Sequence, residues 1–464
     1  MRYLERLSIA APLFSALPPE PSKAVRAESV PVTPKQFTHP IQTPHAEAPS
    51  SAAPASHPFP RLTVKETPLA SSRRSFLRGL CLAAIAPQAH HLLLAQQSPN
   101  KEFLPAAGDS PDTAGPLATD LSPRLTPADI RKAMERVATW ELNRTRAVFN
   151  DDWTFAALYT GFLAASDALN DPQFEQAMLT MGRQLNWQPG PDPIHADHQA
   201  IGQTYLELYL KSHDPAMLAP IQHRFDAMLE RPDDPQKPLW WWCDALFMAP
   251  PVCVRLFRAT SNPAYLTFLD REWSITSSAL YDPEEHLFYR DQRFLTQHEK
   301  NGQKIFWSRG NGWVLAGLAR VLEFLPETWP TRARYVTQFQ QMSARLAQLQ
   351  GTDGLWRSGL LDPTAYALPE VSGSGFIAFG IAWGVRHGLL DRATYLPIAA
   401  RAWQGMVAHI YSDGRLGCIQ PVGAAPGEFK PTSSFVYGVG AFLLAGSELF
   451  RITSNAPKHA KASA

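Results

Sequence analysis

Cysteine is scarce in this chain. Only four occur in 464 residues (Cys81, Cys243, Cys253 and Cys418), and no two stand in a CxxC pair. With no paired Cys or His spacing, neither a zinc site nor a disulfide framework is expected. An excess of one charge is lacking too: Lys and Arg number 43 against 42 for Asp and Glu. No basic block with interleaved aromatics occurs, so neither nucleic acid nor an anionic membrane surface is expected as a partner. No apolar run is long enough to span a bilayer.

Apolar periodicity is missing from the first quarter of the chain. Up to about Thr126 the sequence is dense in Pro, Ala, Ser and Gln. Such composition cannot bury a core, so residues 1–98 are expected to be disordered, with 99–125 as a linker. Within the segment, Ser72-Arg73-Arg74-Ser75-Phe76-Leu77-Arg78 resembles a twin-arginine export signal, followed by a weakly apolar stretch to Ala95. A signal over 72–95 would make the protein periplasmic or secreted, and cytoplasmic if the signal is not used. Export signals stand near the start of a chain, so the true start is expected downstream, with Val64 a candidate.

From Thr126 onward apolar residues recur at three and four spacing. Twelve helices are expected, at about 127–147, 153–169, 172–186, 197–211, 215–230, 245–260, 263–279, 311–325, 330–349, 373–387, 391–410 and 434–451. They sort into two kinds. Segments such as Ala156 to Ala165 and Phe376 to Trp383 are rich in small residues and uncharged, while others carry Arg or Asp along one face. A helix apolar all round is buried and an amphipathic one covers it. Alternation of the two kinds indicates repeated helical hairpins. Six of them closing on themselves give an all-α (α/α)6 barrel over residues 126–452, followed by a disordered tail at 453–464. A linear solenoid is the alternative, and it does not need six hairpins.

In such a barrel the inner helices all start at one mouth. Those starts carry unusual residues: Asp152-Trp153, His195-Ala196-Asp197, Trp240-Trp241-Trp242-Cys243-Asp244, and Trp307-Ser308-Arg309-Gly310-Asn311-Gly312-Trp313. Three consecutive tryptophans cannot all face one core, so at least one ring lines a cavity or lies on a surface. Asp244, among apolar neighbours, is disfavoured as an anion and can hold a proton near neutrality. The competing reading is an Asp that caps the next helix, with the tryptophans as filler. Asp197 faces Asp244 from the adjacent inner start, and two such carboxyls push their pKa values apart. Arg309 offers a planar fork to a carboxylate. Aromatic rings, carboxyls and an Arg make a carbohydrate site, although Asp197, His195, Trp307 and Trp313 each also have a structural reading.

Together, Trp240 to Pro251, His195 to Tyr205 and Trp307 to Trp313 resemble the unsaturated rhamnogalacturonyl hydrolases of glycoside hydrolase family 105. Asp152-Trp153-Thr154 and Glu370 to Ser374 also fit, and the resemblance covers about residues 130–450. It implies an (α/α)6 barrel acting on oligosaccharides with a 4,5-unsaturated uronate at the non-reducing end. Position by position it puts the general acid/base on Asp244, the supporting carboxylate on Asp197, and substrate contacts on Trp242 and the Trp307-Ser308-Arg309 segment. His195 and Trp313 complete the candidate substrate-binding set. One departure is His198, where a second acidic residue is expected. No metal or organic cofactor is called for. Two further readings stay open: a conventional inverting glycosidase with Asp244 as acid and Asp197 as base, and a non-catalytic carbohydrate-binding protein that keeps the tryptophans without needing Asp244.

Overall fold

Proline preceded by a small polar residue begins the first three outer helices. Thr126 caps α1 (Pro127–Thr145), Asp171 caps α3 (Pro172–Gln184) and Asp214 caps α5 (Pro215–Leu229). Each side chain accepts an otherwise orphaned N–H of the first turn, and each proline supplies a φ already suited to a helix. The structure is a computed structural model that describes residues 114–454 apart from 233 and 235–237. The segment expected to be disordered, 1–98, its export signal at 72–95 and most of the tail lie outside the described residues. Of the expected linker, residues 114–125 are described, and Leu117 forms an antiparallel bridge with Tyr411.

Between these outer helices run the inner ones: α2 (Trp153–Leu169), α4 (Gly202–Ser212), α7 (Pro250–Thr260), α9 (Ser308–Leu322), α11 (Val371–Arg386) and α13 (Val436–Ser454). In α11 every residue from Val371 to Val385 is buried, as its lack of charge requires. The inner helices pack in a closed ring, α2 on α4, α4 on α7, α7 on α9, α9 on α11, α11 on α13, and α13 back on α2. The remaining outer helices, α8 (Ala264–Leu280), α10 (Arg332–Gln348) and α12 (Arg392–Val407), complete six hairpins. This is the (α/α)6 barrel, closed and not a solenoid. At the α2–α13 seam, a Cβ on Gly440 would sit 2.4 Å from the backbone oxygen of Ala157, and one on Gly161 would meet Gly440 itself. Only glycine allows backbones this close.

Two expected helices are interrupted, both where the site lies. The segment 197–211 is a 3-10 turn at Ala196–Gln199 followed by α4. The segment 245–260 is a single turn, α6 (Ala245–Met248), and then α7 after a junction at Ala249. Pro250 and Pro251 lack the N–H groups that would continue one helix from Asp244.

Candidate active site

Residues Trp240 to Trp242 lie outside any helix, and Cys243 opens a turn. Trp242 bridges Asp291 antiparallel, and Cys243 N–H donates to the Arg290 carbonyl at 2.8 Å. Side chains on an extended segment alternate between its two faces. Trp240 and Trp242 accordingly turn inward, 0% and 3% exposed, while Trp241 turns outward at 46%. At Asp244 the chain bends into α6. The Asp244 carboxyl makes no capping hydrogen bond and is 7% exposed, so its burial is not explained as a cap. Arg290 Nε lies 3.4 Å from Asp244 Oδ2, and the Cys243 thiol donates to the same oxygen at 3.6 Å.

Asp197 reaches the mouth from its 3-10 turn. His195 Nδ1 stands 3.7 Å from Asp197 Oδ2, and the His195 ring lies 4.6 Å from that of Trp242. His198, where an acidic residue was expected, accepts from the Asp192 backbone N–H at 2.8 Å, so it fixes the loop. Burial raises the Asp244 carboxyl above its ordinary range, opposed by the positive charges of Arg290 and Arg309. Asp197 is pushed up to about 7, by burial first and then by the negative charges of Asp244 and Asp152. Two carboxyls that repel each other, one buried and one half-buried, share one proton near neutrality.

Arg309 sits elsewhere than its expected role requires. It is fully buried, and its fork is taken by backbone: Nη1 donates to the Gln420 carbonyl at 2.6 Å and Nη2 to the Pro421 carbonyl at 2.8 Å. Its guanidinium lies between the rings of Trp307 at 4.4 Å and Tyr437 at 4.9 Å. Trp307 Nε1 donates to Gln420 Oε1 at 2.8 Å. Trp313 is 0% exposed, its ring 4.0 Å from Phe376 and 4.7 Å from Phe247. Yet Ser308 Oγ, Arg309 Nε, Trp313 Nε1 and Ser434 Oγ are buried with no hydrogen-bond partner among the described residues. They cluster at the starts of α9 and α13.

The residue that sequence reasoning missed is Arg290. It follows the two-stranded hairpin of Tyr281–Asp282 and Leu287–Phe288 between α8 and α9, and its Nη1 donates to the buried Asp291 at 2.8 Å. The run Arg290-Asp291-Gln292-Arg293 in an inter-helix loop was the available signal. Trp241 was missed as the open ring because Trp242 was preferred. Among the described residues no group of three or more His, Cys, Asp or Glu side chains is placed to hold a metal ion.

Residues 129–453 match the family model described as Glycosyl Hydrolase Family 88. A protein of Formosa agariphila named unsaturated 3S-rhamnoglycuronyl hydrolase is 39% identical over 347 residues, 71% of this chain and 92% of that protein. A solved structure described as glycosyl hydrolase family 88 from Bacteroides vulgatus is 31% identical with a TM-score of 0.67, covering 70% of this chain and 99% of that one. Another, named a polysaccharide lyase, is 32% identical with a TM-score of 0.69, covering 72% and 99%.

Proposed function

Because the chain belongs to glycosyl hydrolase family 88, we propose that it hydrolyses short oligosaccharides ending in a 4,5-unsaturated uronic acid, releasing that sugar by hydrating its double bond. One observation carries the chemistry: a buried carboxyl, Asp244, has an arginine at 3.4 Å and a second carboxyl, raised to about 7, facing it. The unsaturated uronide is an enol ether, so its C4 is electron-rich. Asp244 donates its proton to C4, and the positive charge at C5 is shared with the ring oxygen. Water adds to C5 as the Asp244 carboxylate takes its proton. The hemiketal opens by breaking the C5–ring-oxygen bond, and the hemiacetal left at C1 expels the second sugar. The name of the Formosa agariphila relative supports this substrate class.

The uronate carboxylate is attached to C5, next to the carbon that receives the proton. Whatever grips it must stand beside Asp244, and Arg290 does. Arg309 has both Nη groups committed to backbone carbonyls. The role the sequence suggested for Arg309 therefore passes to Arg290. Binding then loads the acid: the substrate's negative charge cancels the Arg290 charge that favours ionised Asp244. Arg290→Lys is expected to raise KM about tenfold by losing the planar fork, whereas Arg309→Lys should show its effect in melting temperature. Steady-state kinetics beside thermal melts of both variants decide between them, and the reverse pattern returns the clamp to Arg309.

The route is tested by one turnover in D₂O. Deuterium is expected at C4 of the product, with the absorbance of the conjugated double bond lost at the rate of cleavage. A product that keeps its double bond, with solvent oxygen at C1, would make this a conventional inverting glycosidase. A rise in absorbance would make it a lyase.

A further inference from the structure

We propose that Gln203, fixed by Arg320, is a positioning residue that sets where the Asp244 carboxyl stands. The proposal rests on the acid role given to Asp244 above. Its starting point is the broken helix that follows that residue. In a continuous helix the carbonyls of Leu246 and Phe247 would accept from the N–H groups four residues on. Those positions are Pro250 and Pro251, which have no N–H to give. The single turn α6 has bonds of its own: Leu246 N–H donates to the Cys243 carbonyl and Phe247 N–H to the Asp244 carbonyl, each at 3.0 Å. One turn makes too few such bonds to hold itself. What places Asp244 must come from outside α6.

Two neighbours supply it. Gln203, on α4, is fully buried, and its Nε2 donates to the Phe247 carbonyl at 2.8 Å and to the Met248 carbonyl at 3.4 Å. Phe247 therefore links Gln203 to Asp244, its carbonyl accepting from one and its N–H donating to the backbone of the other. The second neighbour is Gly317 of α9, where a Cβ would sit 2.3 Å from the Leu246 carbonyl oxygen. The α9 backbone is thus a wall against α6, and Gln203 is its tether.

An amide can present either its oxygen or its nitrogen, and Arg320 decides which. Its Nε donates to Gln203 Oε1 at 2.6 Å. A guanidinium has donors only, so the amide nitrogen is left to face the α6 carbonyls. Arg320 is itself held by Glu207, which accepts from Arg320 Nη2 at 2.7 Å and from Arg255 Nε at 2.8 Å. Arg255 Nη1 then donates to the Pro251 carbonyl at 2.8 Å, beyond the break. The break between α6 and α7 is gripped on both sides by one connected set of side chains. Its bearing on the reaction comes from what α6 carries. The turn begins at the proton donor, and misplacing a reacting group by about 1 Å can cost about 10²-fold in rate.

The test compares the parent with Gln203→Glu and Arg320→Lys on an unsaturated disaccharide, with Asp244→Asn as the reference for loss of the acid. Glu keeps the length and the bond to Arg320 but has no N–H for the Phe247 carbonyl. Per folded molecule, kcat is expected to fall about tenfold or more with KM within about twofold of the parent's. The alkaline limb of the pH–rate profile should move as well, because Asp244 shifts relative to Asp197 and Arg290. Arg320→Lys keeps the charge beside Glu207 and loses the Nε–H that orients Gln203, so the same split should appear at smaller size. If Gln203→Glu does not fold, Arg320→Lys decides by the same measures. A lowered melting temperature with kcat and pH limb unchanged would make the network merely structural, and it leaves the hydrolase standing. A folded parent that does not turn over the disaccharide, or an Asp244→Asn protein as active as the parent, overturns the acid role and the positioning role with it.

Discussion

Asp244→Asn is expected to lose roughly 10³-fold in kcat while its melting temperature stays close to the parent's. The change keeps the shape of the side chain and removes its proton. General acid–base groups contribute about 10²–10⁴, and this one acts twice, as acid toward C4 and as base toward water. The fold gives little reason for collapse. Asn fits the same space, the Cys243 thiol can donate to its amide oxygen, and Arg290 keeps its bond to Asp291. Loss of the conjugated absorbance measures the rate directly. Activity within tenfold of the parent would move the acid to another residue.

Asp197→Asn should lower kcat/KM at neutral pH by about 10²-fold and also change how the rate depends on pH. In the parent the pair keeps a proton until about pH 7, because Asp197 is raised that far by burial and by the charge of Asp244. Its alkaline limb should fall there. Without the facing charge, Asp244 loses its proton sooner, so the limb moves to lower pH. Stability carries the opposite signature. A carboxyl raised from 3.8 to about 7 binds its proton more tightly in the folded state. Folding stability of the parent is therefore lost as pH rises through that window. The Asn variant has no such loss, so it should melt higher than the parent at pH 8 and not at pH 4. A profile identical to the parent's would mean that the two carboxyls do not interact.

The barrel was legible because its signal is periodic. Inner helices such as Val371–Arg386 lack charge on every side, and outer ones begin at Pro127, Pro172 and Pro215 behind capping residues. The resemblance to unsaturated uronyl hydrolases stands as well, with family 88 as the model that matches. Less legible was the conformation of short segments at the mouth. Trp240 to Trp242 lies outside any helix in a largely helical fold, so the alternation that bares Trp241 has only three residues in which to show itself. Pro250-Pro251 did announce the break before α7, but the apolar run across it reads as one helix. Arg290 was marked only by the charged run Arg290-Asp291-Gln292-Arg293, which does not say where that loop lands. It is brought to Asp244 by a bridge between Trp242 and Asp291 on two loops, and no spacing along the chain encodes such a bridge.

The α2–α13 seam bears on how the molecule comes into being. The ring joins its first inner helix to its last, so it stays open until Val436–Ser454 has left the ribosome. That helix brings Tyr437 against Arg309, so the wall of the site is also completed last. A nascent chain halted after α11 would hold both carboxyls and the tryptophans of the mouth, with its first inner helix still lacking a partner on one side. Docking of this one helix closes the core and finishes the pocket together. Non-local closure of this kind is slow compared with the local hairpins that precede it.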